Sequence, residues 1–159
     1  MSLKTAETLV AALVNRLGIS GGESALGSDG MYTLTLEQPW MPPIHLCYLD
    51  ADNSMVIFAE IAMLNPDNEA EVLRKMMLRQ YLFADSNGVT TALSADDNVL
   101  TAQFKFSLEG LTEEGLASNL NVFVGETAKL RVLVCGDNAD DNAGSTQVSE
   151  EPDGSFIPV

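Results

Sequence analysis

Apolar positions recur at steps of three and four through residues 3–17: Leu3, Ala6, Leu9, Val10, Leu13, Val14 and Leu17. That period puts them on one face of an amphipathic helix. Ser2 stands where a cap is wanted, and Gly18 where the last turn needs a left-handed residue. Residues 18–30 lose the periodicity and hold five glycines, which predicts a loop. The period then becomes two. Tyr32, Leu34 and Leu36 alternate with Thr33, Thr35 and Glu37, the mark of a half-buried strand. Pro39, Pro42 and Pro43 remove ladder donors and interrupt the pairing. Apolar runs at 44–49 and 55–62 then flank Asp50-Ala51-Asp52-Asn53-Ser54, whose carboxylate and amide side chains favour a hairpin turn.

Pro66-Asp67-Asn68 opens a second helix, with Asn68 and Glu71 at capping-box spacing and Glu69 and Glu71 suited to the positive helix start. Its apolar members, Val72, Leu73, Met76, Met77, Leu78, Tyr81, Leu82 and Phe83, wrap most of the way round the axis. A stripe that wide predicts a helix covered on two sides. Asp85-Ser86-Asn87-Gly88 ends it. A second hairpin follows: Val89, Thr91 and Leu93 alternate in one arm, Leu100, Ala102, Phe104 and Phe106 in the other, with Asp96-Asp97-Asn98 between. Thr112 caps a third helix with Glu113 and Glu114 in its first turn, and Leu111 and Leu116 have hydrophobic-staple spacing. Leu116, Leu120, Phe123, Val124, Leu130 and Val134 carry its stripe to about residue 135.

These elements compose an α+β domain, α-β-β-β-α-β-β-α, with an antiparallel sheet over residues 1–136. Composition adds a boundary at its end. The whole chain has 159 residues, 46% of them hydrophobic, and carries 23 acids against 8 Lys and Arg, a net charge of -15. Asp137, Asp140, Asp141, Glu150, Glu151 and Asp153 fall in residues 137–159, which contain no Lys or Arg. This composition predicts a disordered acidic tail, with a short apolar run at Phe156-Ile157-Pro158-Val159 able to dock. The remaining 17 acids face all 8 bases, leaving about -9 on the domain. Such a balance excludes a generic nucleic-acid binder, since phosphate affinity rests on clustered Lys and Arg. It also disfavours anionic membrane surfaces. Two distant cysteines, Cys47 and Cys135, without a CxxC pair point to a reducing cytoplasm. The first residues do not read as a signal peptide, and no apolar run is long enough to span a bilayer.

Catalytic chemistry finds little to use. His45 is the one histidine, so several imidazoles cannot share a metal. His45 and Cys47 would lie on one strand face, yet two ligands without partners read as half-buried strand positions. Asp50, Asp52 and Asn53 imitate the start of a calcium loop, but Met55 and Ile61 stand where its central Gly and closing Glu belong. The glycines of 18–30 include no phosphate-loop signature. Glu113 and Glu114 are explained by the helix start. No nucleophile, base and orienter come together, so the chain is expected not to be an enzyme and to need no cofactor or metal.

The order of elements in an acidic chain of this size resembles the class I type III secretion chaperones, the family that includes the Tir chaperone. The likeness is sharpest where Glu69-Ala70-Glu71-Val72-Leu73-Arg74-Lys75-Met76-Met77-Leu78-Arg79-Gln80-Tyr81-Leu82-Phe83 leads to Gly88-Val89-Thr90-Thr91-Ala92-Leu93-Ser94. Leu108-Glu109-Gly110-Leu111-Thr112 then leads into the last helix. The resemblance covers residues 2–135; the glycine-rich loop and the acidic tail depart from the family pattern. It implies a bacterial cytoplasmic homodimer, without cofactor, that binds the N-terminal segment of a secreted effector in extended form and keeps it competent for export. On this basis Leu73, Met76, Met77, Leu78, Val89, Thr91 and Leu93 are expected at the dimer contact. Leu9, Leu13, Leu34, Leu36, Leu46 and Tyr48 are expected in effector grooves. The competing expectation is an acidic adaptor or immunity-type protein that binds a folded basic partner.

Overall fold

A computed structural model gives the fold and describes residues 3–18, 26–27, 30–94 and 97–136. Helix α1 (Leu3–Arg16) buries Ala6, Val10, Leu13 and Val14. Leu17 lies past its end and is exposed, so the stripe stops one turn earlier than its spacing predicts. Gly18 has φ +67°, the left-handed ending expected of it. The expected Ser2 cap and most of the 18–30 loop lie outside the described residues, as do residues 137–159.

Five strands follow: β1 (Met31–Leu34), β2 (Ile44–Leu49), β3 (Ser54–Met63), β4 (Thr90–Leu93) and β5 (Val99–Ser107). They form one antiparallel sheet in the order β1-β2-β3-β5-β4. Both expected hairpins are present, β2–β3 and β4–β5, and β5 lies against β3 so that the two join. The β2–β3 turn is a short 3-10 segment, Asp50–Asp52, closed by Asn53 in the left-handed region. Strand β1 stops at Leu34, leaving Leu36 in the connection, partly buried against the core.

Helix α2 spans Glu69–Gln80 and helix α3 spans Glu113–Cys135. Thr112 caps α3 as its position predicts: its Oγ1 accepts from the Gly115 N–H at 3.1 Å. The capping box expected at α2 does not form. Asn68 makes no side-chain cap bond, and Glu71 instead pairs with Lys75 one turn on, at 2.6 Å. The backbone carbonyl of Asn65 takes the Glu69 N–H, so the chain enters α2 through a turn that already satisfies a free donor.

All three helices feed one core. Alternate residues of the strands, among them Leu34, Ile44, Leu46, Met55, Ile57, Leu100 and Ala102, pack with Ala6, Val10 and Leu13 of α1. Val72 and Met76 of α2 join them, as do Leu116, Leu120, Phe123 and Leu130 of α3. Among the described residues no helix covers the other parity of β2 and β3, and that division positions the first surface described next.

Candidate functional site

The free face of the sheet is built by strand parity. In β2 the burial alternates strictly: Ile44, Leu46 and Tyr48 are buried, while His45, Cys47 and Leu49 are half-buried on the opposite side. Register carries that side across the sheet. Thr33 pairs with His45, His45 with Phe58, and Phe58 with Gln103; Cys47 pairs with Val56, and Val56 with Lys105. His45 stacks on Phe58 with ring centroids 4.8 Å apart, and its Nδ1 lies 3.0 Å from the Thr33 hydroxyl. Beside this row Cys47, Leu49, Val56, Phe58 and Gln103 line a shallow groove of about 280 Å3. Its apolar floor comes from β2 and β3, and the Gln103 amide of β5 borders it. At its end Lys105 pairs with Asp52; hydrogen bonds from Lys105 and Ser54 hold the Asp52 carboxyl below the usual aspartate range.

A second surface surrounds the end of α2. Met77 and Leu78 are 74% and 65% exposed. After Gln80 the chain leaves the α-helix, and Tyr81, Leu82 and Phe83 form a 3-10 turn in which Leu82 and Phe83 take φ +53° and +56°. Bulky residues in the left-handed region cost of order 1–2 kcal/mol each. The result is that Tyr81, Leu82 and Phe83 project into solvent, each more than half exposed, next to Met77 and Leu78. The sequence pattern groups all five with the helix but gives no hint of the break.

Beneath this surface a polar clamp fixes α2 against α3. The Glu126 carboxylate, on α3 and 2% exposed, accepts from the Arg79 guanidinium, from Lys129 Nζ at 2.7 Å and from Asn87 Nδ2 at 2.8 Å. Burial pushes the Glu126 carboxyl up, but Lys129, Asn87 and Arg79 together outweigh it and hold the group below the usual glutamate range. Gln80 adds a second tie: its side chain donates to the Thr91 hydroxyl and accepts from the Thr91 N–H at 3.2 Å. The stripe expected of α3 contains no glutamate, so this clamp was not legible from periodicity.

The residues expected to bind effector mostly lie inside. Leu13, Leu34 and Leu46 are at most 1% exposed, and Tyr48 is buried with its hydroxyl donating to Asp50 at 3.0 Å. Burial, with Asp50 beside it, pushes the Tyr48 phenol above its usual value. These four line the core rather than a groove, while Leu9 and Leu36 are partly buried at its margin. Parity places Cys47, Leu49, Val56 and Phe58, not these four, on the opposite face of the sheet. Of the residues expected at a dimer contact, Met76 and Val89 belong to the protomer core at 2% and 1% exposure. Leu73 and Thr91 are half-buried, and Met77, Leu78 and Leu93 are exposed. Tyr81, Leu82 and Phe83 join that exposed group.

The model of the Tir chaperone protein (CesT) family matches residues 8–131. The chain belongs to the CesT family. Solved structures carry the same fold. A chain of the ExsC–ExsE complex superposes with TM-score 0.69 at 13% identity, covering 83% of this chain and 95% of that one. One from the HopA1–SchA chaperone–effector complex gives 0.64 at 14%, covering 82% and 96%. One from the Yersinia pestis type III secretion chaperone SycH with a fragment of YscM2 gives 0.56 at 20%, covering 78% and 98%. No curated protein matches the sequence. Among the described residues of this CesT-family chain, no group of three or more His, Cys, Asp or Glu could hold a metal ion. Nor is any described helix long and apolar enough to cross a membrane.

Proposed function

We propose that this CesT-family chain is a type III secretion chaperone acting in the bacterial cytoplasm by binding rather than by catalysis. Its client is the N-terminal segment of a secreted effector, held extended and soluble until export. The observation that carries this reading is the helix-free sheet face with its apolar groove at Cys47, Leu49, Val56 and Phe58. Structures of the same fold supply the context, being described as a chaperone–effector complex and as a type III secretion chaperone bound to a protein fragment. An extended segment suits the geometry. Strand β1 is a four-residue edge next to β2, so a client strand could pair with it while alternate side chains settle over β2 and β3. The exposed cluster of Met77, Leu78, Tyr81, Leu82, Phe83 and Leu93 is assigned to a homodimer contact, because isolated monomers rarely leave so much contiguous apolar surface in water. The domain charge of about -9 keeps a protein with such surfaces from associating at random.

The test is co-purification from the native host with Val56→Asp and Phe58→Asp variants. A charge on the groove floor is expected to abolish client capture while the dimer and the cooperative melt persist. Limited proteolysis of the captured partner should leave an extended N-terminal stretch protected. A client retained by both variants, or protected as an independently folded domain, overturns the proposal and favours the adaptor alternative.

A further inference from the structure

The last turns of α3 depart from the rest of the helix. As far as Phe123 its buried residues keep to one stripe, with Ser118 and Asn121 exposed opposite. Between Ala128 and Val134 apolar side chains occupy two sides: Leu130 is buried and Val134 packs partly on the core, while Val132 and Leu133 are 54% and 41% exposed. Ala128, Lys129, Val132 and Leu133 line an open apolar groove of about 450 Å3. A helix segment with apolar side chains on two sides is ordinarily covered on the second side as well.

The charge around this groove runs against the rest of the chain. Beside the groove two cations, Arg79 and Lys129, share the one carboxylate of Glu126. Arg131 points the other way and donates to the Ile61 carbonyl of β3 at 3.0 Å. In a chain with 23 acids and 8 bases, a local surplus of cation next to exposed apolar surface selects for an acidic ligand with an apolar element.

Such a segment is present in the same chain. Residues 137–159 begin directly after Gly136, at the foot of α3, and contain six acids, no Lys or Arg, and one apolar run, Phe156-Ile157-Pro158-Val159. The 20 residues from Asp137 to Phe156 can span up to ~70 Å when extended. The groove begins about half a turn from the helix end and reaches only ~12 Å back along it. The sheet groove is a poorer match for this segment: no Lys or Arg is among its lining residues, and it faces away from the helices.

We propose that Phe156-Ile157-Pro158-Val159 folds back into the groove of Ala128, Lys129, Val132 and Leu133, with the acids of 137–153 lying along Lys129. The segment thereby covers the apolar end of α3 against a second copy of the chain. This assignment does not depend on what the sheet face binds, and its test needs no client.

Methyl NMR of the full chain compares wild type with Ile157→Asp. The Val132 and Leu133 methyl resonances are expected to shift on substitution, while Leu49 and Val56 stay in place. In a Cys47→Ala background, Ser155→Cys should form an intramolecular disulfide with the exposed Cys135 faster than Gln147→Cys does. Unmoved Val132 and Leu133 resonances overturn the proposal. So do shifts confined to Leu49 and Val56, which would seat the segment on the sheet, and a disulfide that forms only between chains. Concentration-dependent burial of Val132 and Leu133 that ignores Ile157→Asp would assign the groove to a second copy and equally overturn it.

Discussion

Replacing Glu126 by Gln removes the charge at the centre of the α2–α3 clamp while keeping its shape, and the cost can be apportioned from exposure. Arg79 is only 11% exposed and loses the carboxylate that balances it, whereas Lys129 is 64% exposed and can turn to water. Breaking a buried pair by removing one partner costs about 3–5 kcal/mol, against about 0–1 kcal/mol for an exposed pair. Because Arg79 keeps a little contact with solvent, we expect about 3 kcal/mol for Glu126→Gln, nearly all of it from Arg79. For a domain of this size that is a fall in Tm of roughly 6–12 °C. Lys129→Ala should cost under about 1 kcal/mol. Arg79→Met with Glu126→Leu should recover most of the loss, since no uncompensated charge is left inside.

The clamp also sets a pH dependence. The Glu126 carboxyl is depressed in the folded protein, so its contribution is complete above the unfolded value of about 4.3 and is lost as pH falls through the lower folded value. Wild type should therefore lose stability below about pH 4.3 more steeply than Glu126→Gln. The assay is urea unfolding followed by circular dichroism at fixed protomer concentration, repeated from pH 7 to pH 3. A Glu126→Gln cost below about 0.5 kcal/mol, or a Lys129→Ala cost equal to it, would refute the assignment of the energy to the buried Arg79 pair.

Leu78→Glu places a charge in the exposed cluster at the end of α2, and light scattering should show a monomer with an unchanged secondary-structure spectrum; a persistent dimer would move the contact elsewhere. Gly88→Ala should destabilise by more than about 1 kcal/mol in thermal melts, because φ is +84° and the new methyl would sit 3.2 Å from the Phe104 ring. Thr112→Ala removes the acceptor for the Gly115 N–H and should cost about 1 kcal/mol, whereas Asn68→Ala, which loses no cap bond, should be nearly neutral by the same measurement.

The sequence by itself determined which stretches are helix and which are strand. The three-to-four period of Ala6, Val10 and Leu13, the alternation through β4 and β5, and the Thr112 cap are all local properties, and local propensity and spacing decide them. It also separated an acidic, base-free stretch from the domain. What it could not decide is which parity of a strand meets the helices. Leu46 and Cys47 are both apolar enough for either face, and a shift of one residue exchanges them, so the groove at Cys47, Val56 and Phe58 emerged only when α1 and α3 took the other side. Nor could it show that Met76 would enter the core while Met77 stayed in water, because an all-round apolar helix has no preferred face until its neighbours are placed. The break after Gln80 and the burial of Glu126 are likewise products of assembly. Leu82 and Phe83 hold left-handed backbone against their own preference, and Glu126 keeps its charge inside, because Arg79, Asn87 and Lys129 arrive from different parts of the chain to meet it. Local chemistry sets the elements, and long-range packing chooses which of their residues remain available to bind.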